Sequence, residues 1–129
     1  MVNGSIIKSF SKGKVVYQDK EIEVEKLEWN KNANKGVYLK HIITGEDTEG
    51  KFSCHIVKIE SGCEIASHTH ECNWELHEVI HGEGKCILAD KEVDYSVGTL
   101  SVIPQGMEHK VKAVSGDLYL FANFIPALL

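Results

Sequence analysis

The stretch that decides the fold runs from Gly62 to Gly84 and reads GCEIASHTHECNWELHEVIHGEG. In it, His68 and His70 stand one residue apart, and Glu75 follows five positions later. Residues i and i+2 of a β-strand share a face, with Cα atoms roughly 6.6 to 6.8 Å apart, so both imidazoles can reach one ion. A short loop would let an antiparallel strand bring Glu75 back, adding a hard oxygen to two nitrogens. This spacing predicts most of a metal site.

A second stretch, GTLSVIPQGMEH at residues 98–109, supplies a third histidine. Pro104 and Gly106 predict a tight turn just before His109. Lysine side chains rarely point into a protein core, so the lysines that follow, at positions 110 and 112, are expected to face outward and to turn His109 inward. Three imidazoles and one carboxylate would then face the same interior space.

Glycine and turn residues divide most of the chain into short segments that favour β-strands. No segment has the pattern of a three-turn amphipathic helix, and Gly82 and Gly84 are expected to allow a turn after WELHEVI. These features predict an all-β sandwich or barrel of small strands. The predicted strands are VYLKHII, FSCHIVKIE, WELHEVI, KCILAD, LSVI, HKVKAV and LYLFANFI.

Further histidines lie on the predicted strands. If Lys40 and Lys58 face outward, His41 and His55 on the same two strands face inward. His77 shares the face of Glu75 and is the candidate catalytic residue; it could orient a ligand, carry a proton or act as a fifth donor, or it could be a core histidine bonded to a backbone carbonyl. His41 and His55 carry the same alternatives. His81 is expected to be exposed.

The composition limits the possible partners. The chain has 129 residues and a formal net charge of −5, which favours one domain and disfavours nucleic acid and anionic membranes. No apolar run approaches the length needed to cross a bilayer, so a soluble protein is expected. All 14 basic residues are lysines. Without arginine the chain lacks the planar fork that clamps a carboxylate, which disfavours substrates that need one.

The cysteines favour a reducing compartment. They occur without a CxxC pair, and the first residues lack the apolar core of a signal peptide, so a cytoplasmic protein is expected. Cys72, in the loop between the candidate ligands, could be a reactive thiol or an ordinary loop cysteine. Cys54, Cys63 and Cys86 are expected to pack in the core.

Together the two stretches resemble the motifs of the cupin superfamily. The first motif, G-x5-H-x-H-x4-E-x6-G, matches from Gly62 to Gly82, and the second, G-x5-P-x-G-x2-H, matches from Gly98 to His109, with Ala113 in place of the usual terminal asparagine. The resemblance implies a small double-stranded β-helix barrel, jelly-roll-like and usually dimeric. It also implies one divalent metal per chain, held by His68, His70, Glu75 and His109.

On this interpretation residues 36–129 form the cupin barrel, and residues 1–35 add N-terminal strands that cap a sheet edge or swap onto a partner in a homodimer. The metal would be iron, manganese, nickel, cobalt or zinc, among which the donor set does not choose. We expect a metalloenzyme that acts on a small oxygenated organic molecule by oxygenase, isomerase, lyase or decarboxylase chemistry. The alternatives are a non-catalytic module that binds metal or a small ligand, and a structural dimer with a vestigial site.

Overall fold

Two long strands carry the architecture and place the candidate ligands. The computed structural model describes residues 5–129. Its elements, in chain order, are helix α1 (Ser5–Ser11), strands β1 (Lys14–Val16) and β2 (Glu21–Glu23), the 3-10 helix η1 (Val24–Lys26), strands β3 (Trp29–Lys31) and β4 (Val37–Ile43), helix α2 (Gly45–Thr48), and strands β5 (Ser53–Ile59), β6 (Glu64–His68), β7 (Trp74–Leu88), β8 (Lys91–Tyr95), β9 (Leu100–Ile103) and β10 (His109–Ile125). The predicted all-β barrel is confirmed.

The barrel has two halves that share β7 and β10. In one half the order is β3, β4, β5, the second part of β10, the first part of β7, and β9. In the other half the first part of β10 lies between β6 and the second part of β7, and β8 follows β7. Every pairing is antiparallel, as expected for a jelly-roll-like barrel.

Gly82 and Gly84 do not end a strand, contrary to expectation. β7 runs without a break through Gly82 and Gly84, so WELHEVI and KCILAD form one strand. Gly82 has a φ of +88°, and the pairing with β10 shifts register in this region. A Cβ atom at Gly82 would overlap the carbonyl oxygen of Asp117, and one at Gly84 would overlap that of Lys112. These glycines therefore allow β10 to approach closely where β7 passes between the halves.

The N-terminal residues cover the outer face of the β4, β5 and β10 sheet. The ring of Phe10 in α1 packs 5.1 Å from that of Phe121 in β10, and Val24 of η1 is buried in the same outer cluster as Ile56 and Ile80. β1 and β2 pair as an antiparallel hairpin, so the expected N-terminal strands are present, and β3 pairs with the edge of β4. Within one chain, the described part of residues 1–35 thus lies on its own barrel; residues 1–4 lie outside the described residues.

Lys40 is buried, although lysines were expected to mark the solvent-exposed faces of the strands. It does lie on the outer face, but it is only 6% exposed. Its Nζ donates a hydrogen bond of 3.1 Å to the carbonyl oxygen of Val24 and lies 5.1 Å from the ring centroid of Trp29. Burial lowers the pKa of Lys40. Lys40 therefore points to the predicted face of β4, but that face is not exposed to solvent, because η1 and β3 cover it.

None of the helices within residues 5–129 is long and apolar enough to cross a membrane.

Candidate metal centre

Four donor atoms from three parts of the chain meet inside the barrel. One ligand atom from each of His68, His70, Glu75 and His109 lies within 4.8 Å of all the others. His68 ends β6 and is directly paired with His109, the first residue of β10. His70 follows in the loop after β6, where its carbonyl accepts a 3.0 Å hydrogen bond from the Gly106 N–H. The predicted ligand residues therefore do come together.

Glu75 reaches this cluster from the other half of the barrel. β6 and β7 do not pair with each other as the simple loop argument expected; both pair with β10. Glu75 lies opposite Phe124 and Ile103, near the start of β7. Its carboxylate is 6% exposed, and Oε1 lies 3.1 Å from His109 Nε2 and 3.6 Å from His70 Nε2.

Backbone carbonyls fix the direction of two imidazoles. His68 Nδ1 lies 2.9 Å from the carbonyl oxygen of Ala66, and His109 Nδ1 lies 3.0 Å from that of Met107. Since a carbonyl oxygen only accepts, each Nδ1 carries the hydrogen and donates it. In the neutral ring, Nε2 then keeps a lone pair that can bind a metal. Burial lowers the pKa of both His68 and His70, which favours the neutral form that coordinates.

Two buried polar atoms at the centre have no hydrogen-bond partner among the described residues. They are Glu75 Oε1 and His109 Nε2, the same two atoms that lie 3.1 Å apart. In the neutral tautomer both present lone pairs, so they attract each other only through a shared cation. A proton can serve: although burial acts to lower the pKa of His109, the nearby Glu75 carboxylate and the Met107 carbonyl outweigh it and the pKa is raised. A divalent ion that displaces this proton fits the same donors.

His77 lies behind the carboxylate of Glu75. Its Nε2 lies 2.6 Å from Glu75 Oε2, and its Nδ1 lies 2.9 Å from the hydroxyl of Tyr95. Burial raises the pKa of Tyr95, which therefore keeps its proton and can donate to Nδ1 while Nε2–H donates to the carboxylate. Burial acts to raise the pKa of Glu75, but the neighbouring His77 and His109 outweigh it, and the pKa lies well below its usual range. Oε1 is the oxygen that faces His70 and His109.

A cavity of about 260 Å³ is lined by three of the four candidate ligands, His68, His70 and Glu75. Its wall is largely apolar, with three neutral polar side chains, Asn32, Asn34 and Ser67. Its apolar members are Leu39, Val57, Ile65, Ala66, Phe124 and Leu128, and His77 also lines it. The sequence argument did not include the two asparagines; their i, i+2 spacing just before Gly36 is the one signal that could have suggested them. Trp74 and Met107, which flank the candidate ligands in the sequence, are not part of this wall.

His41 and His55 belong to a hydrogen-bond network separate from the candidate metal centre. Their Nδ1 atoms lie 2.8 Å apart, and His55 Nε2 lies 2.8 Å from the hydroxyl of Ser53. That hydroxyl also accepts a 2.9 Å hydrogen bond from the Leu128 N–H. His55 is fully buried, and burial, followed by the proximity of His41, lowers its pKa to about 4. This hydrogen-bond network holds the segment after β10 against β5.

The buried His55 predicts a pH-dependent stability. An unfolded histidine takes up a proton near pH 6.5, but the folded one resists it until about pH 4. The free energy of unfolding should therefore fall as the pH drops through this window, by about 2 to 3 kcal/mol from this residue. Urea unfolding between pH 7 and pH 4 should show a shallower decline in a His55→Gln variant. An identical decline in both proteins would contradict the assignment.

The remaining residues of interest lie away from the cluster. His81 is partly buried rather than exposed, because its ring packs edge-on against Tyr119 with centroids 5.6 Å apart. Cys72 is an exposed free thiol in the loop. Cys54 and Cys86 are buried as expected, whereas Cys63 is only partly buried.

Comparison with known proteins places this geometry in a family. The family model described as the cupin domain matches residues 55–122, more than half of the chain. The chain therefore belongs to the cupin family, as the motifs indicated. A search of curated proteins finds no match.

Many solved structures share the fold. A predicted oxalate decarboxylase from Thermotoga maritima superposes with a TM-score of 0.75 at 22% identity, covering 81% of this chain and 96% of the other. Ectoine synthase from P. lautus gives a TM-score of 0.73 at 19% identity, covering 82% and 77%. KdgF from a Halomonas species gives 0.71 at 20% identity, covering 79% and 88%. These likenesses establish the barrel.

Proposed function

We propose that the chain binds one divalent transition metal through His68, His70, Glu75 and His109. The observation that carries the proposal is the pair of buried, unpartnered atoms, Glu75 Oε1 and His109 Nε2, which face each other at 3.1 Å. Three imidazole nitrogens and one carboxylate oxygen suit iron, manganese, nickel, cobalt or zinc. The cluster is also largely buried, and buried histidines around a carboxylate are stabilised by an ion that they can share.

We further propose that the site is that of a metalloenzyme acting on a small oxygenated organic molecule. An ion with four protein ligands keeps about two positions open, where it polarises the oxygens of a substrate as a Lewis acid or, with iron, admits dioxygen. The chain's own residues prepare the site: His77 and Tyr95 hold Glu75 in one orientation, and apolar side chains line the space beside it. Oxygenase, isomerase, lyase and decarboxylase chemistry can all use an ion with open positions, and the structural neighbours include ectoine synthase.

The alternative is a cupin module that binds metal or a small ligand without changing it. The fold and the donor set serve both functions. The enzyme should convert a chelating molecule only when the correct ion is bound, whereas the module should release it unchanged. Mass spectrometry of the ligand after incubation with metal-loaded protein therefore separates the two.

The test of the metal site is its metal content. Protein purified without an affinity tag under anaerobic conditions should contain about one ion per chain by inductively coupled plasma mass spectrometry. A variant carrying both His68→Ala and His109→Ala should contain none. His81→Ala is the matched control, since this histidine lies on β7 outside the cluster, and it should keep the ion. Equal metal content in the double variant, or no ion and no thermal shift with any divalent metal, would contradict the proposal.

We also propose a homodimer in the cytoplasm. β9 is paired only with β7 among the described strands, and its outward side chains Leu100 and Val102 are 58% and 63% exposed. Such an edge favours contact with a second copy, and exchange of residues 1–35 between copies remains a further way to cover it. The four cysteines are free thiols, which suits a reducing compartment. Size exclusion at micromolar concentration should give the mass of two chains; a monomer would contradict the dimer.

A further inference from the structure

We propose that the cavity selects a substrate that brings one negative charge to the metal through two neighbouring oxygens and carries an apolar body, and that it discriminates against dicarboxylates. This inference rests on the metal site proposed above. It concerns the class of substrate, which the ligand set alone leaves open. Enolates of hydroxyketones and diketones, and hydroxypyranones, belong to the selected class.

The first step is a charge count. Glu75 is the one carboxylate among the residues that line the cavity, and the histidines that bind an ion do so as neutral rings. With a divalent ion the centre carries a charge of +1. A ligand with one negative charge brings the site to neutrality, whereas a dianion leaves −1.

The second step is that no lysine or arginine in the cavity wall compensates this extra charge, and that both ring nitrogens of His77, which also lines the cavity, are already bonded to Tyr95 and Glu75. The chain contains no arginine, and none of its lysines lines the cavity. Lys40, on a strand that contributes to the wall, points to the outer face and bonds to Val24. An uncompensated charge in a largely apolar cavity is costly. A dianion such as oxalate is therefore disfavoured, because it leaves a net charge in the cavity, whereas a singly charged chelate leaves none.

The third step concerns the body of the ligand. Leu39, Val57 and Ile65 line the cavity together with Phe124 and Leu128. A ligand that places carbon atoms against these side chains gains from burial, whereas a compact dicarboxylate has no apolar surface to place there.

Asn32 supplies a neutral polar contact in this wall. Its Oδ1 accepts two hydrogen bonds from Asn34, at 2.9 Å from the backbone N–H and at 2.8 Å from Nδ2. The Oδ1 of Asn34 in turn accepts a 3.1 Å hydrogen bond from the Ala66 N–H. The amide of Asn32 is therefore fixed with its oxygen occupied and its NH₂ group available. We assign this group to a further oxygen of the substrate.

The experiment uses cobalt(II) as the ion and two chelators as probes. Maltol chelates as a monoanion through adjacent oxygens, and oxalate chelates as a dianion. Each is titrated into cobalt-loaded protein while the visible spectrum of the ion is recorded, and each is titrated into aqueous cobalt(II) for reference. Relative to the aqueous ion, the protein should prefer maltol over oxalate by at least about tenfold. Metal content is measured again after the titration, so that removal of the ion is not mistaken for binding.

Two variants at one position test the role of the wall. Asn32→Ala should weaken maltol binding by about three- to tenfold with unchanged cobalt content, because one hydrogen bond is lost. Asn32→Lys adds a cation at a half-buried position and should shift the preference towards oxalate by about tenfold relative to Asn32→Ala. Asn30→Ala is the control, since Asn30 is exposed on β3 and does not line the cavity; it should behave like the wild type.

The outcomes separate this inference from the proposal beneath it. If no cobalt binds, the metal site itself is wrong and the inference fails with it. If cobalt binds and the protein shows the same preference as the aqueous ion, or prefers oxalate, the metal site stands and the charge argument is overturned. A preference for maltol that Asn32→Lys leaves unchanged would overturn the assignment of selectivity to this cavity wall.

Discussion

Replacing Glu75 with glutamine is expected to weaken the binding of a divalent ion by more than about 100-fold. Changing residues that merely support metal ligands typically costs 10- to 100-fold, and Glu75 is itself the proposed ligand and the only carboxylate in the cluster. Glutamine keeps the shape of the side chain but removes its charge. It also removes one acceptor, so that the 2.6 Å contact with His77 competes with the contact to the ion.

The affinity should be measured by competition with a chromogenic chelator, and the thermal shift on adding metal should disappear in the variant. Glu78→Gln is the matched control: it makes the same change on the same strand, but Glu78 alternates to the outer face and lies opposite Leu100 and Phe121. The control should bind metal like the wild type. Equal affinity in Glu75→Gln and the wild type would exclude Glu75 as a ligand.

Replacing Gly82 with alanine is expected to lower the free energy of unfolding by about 4 kcal/mol or more, enough to leave much of the protein unfolded. Gly82 has a φ of +88°, which strains any residue with a side chain. The new methyl group would also overlap the carbonyl oxygen of Asp117, which belongs to the backbone of β10 and cannot move aside like a flexible side chain. Both penalties apply at the same position.

Gly116→Ala separates the two penalties. Gly116 lies in β10 with a φ of +77°, but nothing lies within 4 Å of the position of its Cβ atom. It should therefore pay only for the backbone conformation, about 1 to 2 kcal/mol. Urea unfolding followed by circular dichroism measures both variants. Similar losses in the two would show that the close approach of β7 and β10 does not limit this site.

Much of the candidate site could be predicted because it is written in local spacing. Strand alternation predicts that His68 and His70 point the same way, and they do converge, although β6 ends at His68 and His70 lies in the loop after it. A proline and a glycine before His109 set the turn that precedes β10. The glycines were a different case. Gly82 and Gly84 were predicted to form a turn, but they lie within β7, where the backbone of β10 approaches them closely. The sequence shows that these residues lack a side chain, but it does not show which strand occupies the space.

The roles of His77 and Lys40 also required the folded protein. The alternation of faces puts His77 beside Glu75, but its second partner, Tyr95, comes from β8 after a separation of eighteen residues. Lys40 was assigned correctly to the outer face and incorrectly to water. In each case the missing information was which distant segment covers that point of the sheet.

The sequence by itself determined the fold class, the four candidate ligands and the absence of an arginine clamp, because strand alternation, turn chemistry and composition act over a few residues or none. The tertiary structure decided that Glu75 faces the histidines from the other half of the barrel, that His77 and Tyr95 hold its carboxylate, and that apolar side chains and Asn32 line the cavity beside it. These features depend on contacts between segments that are distant in the chain, and such contacts are fixed only when the whole barrel packs.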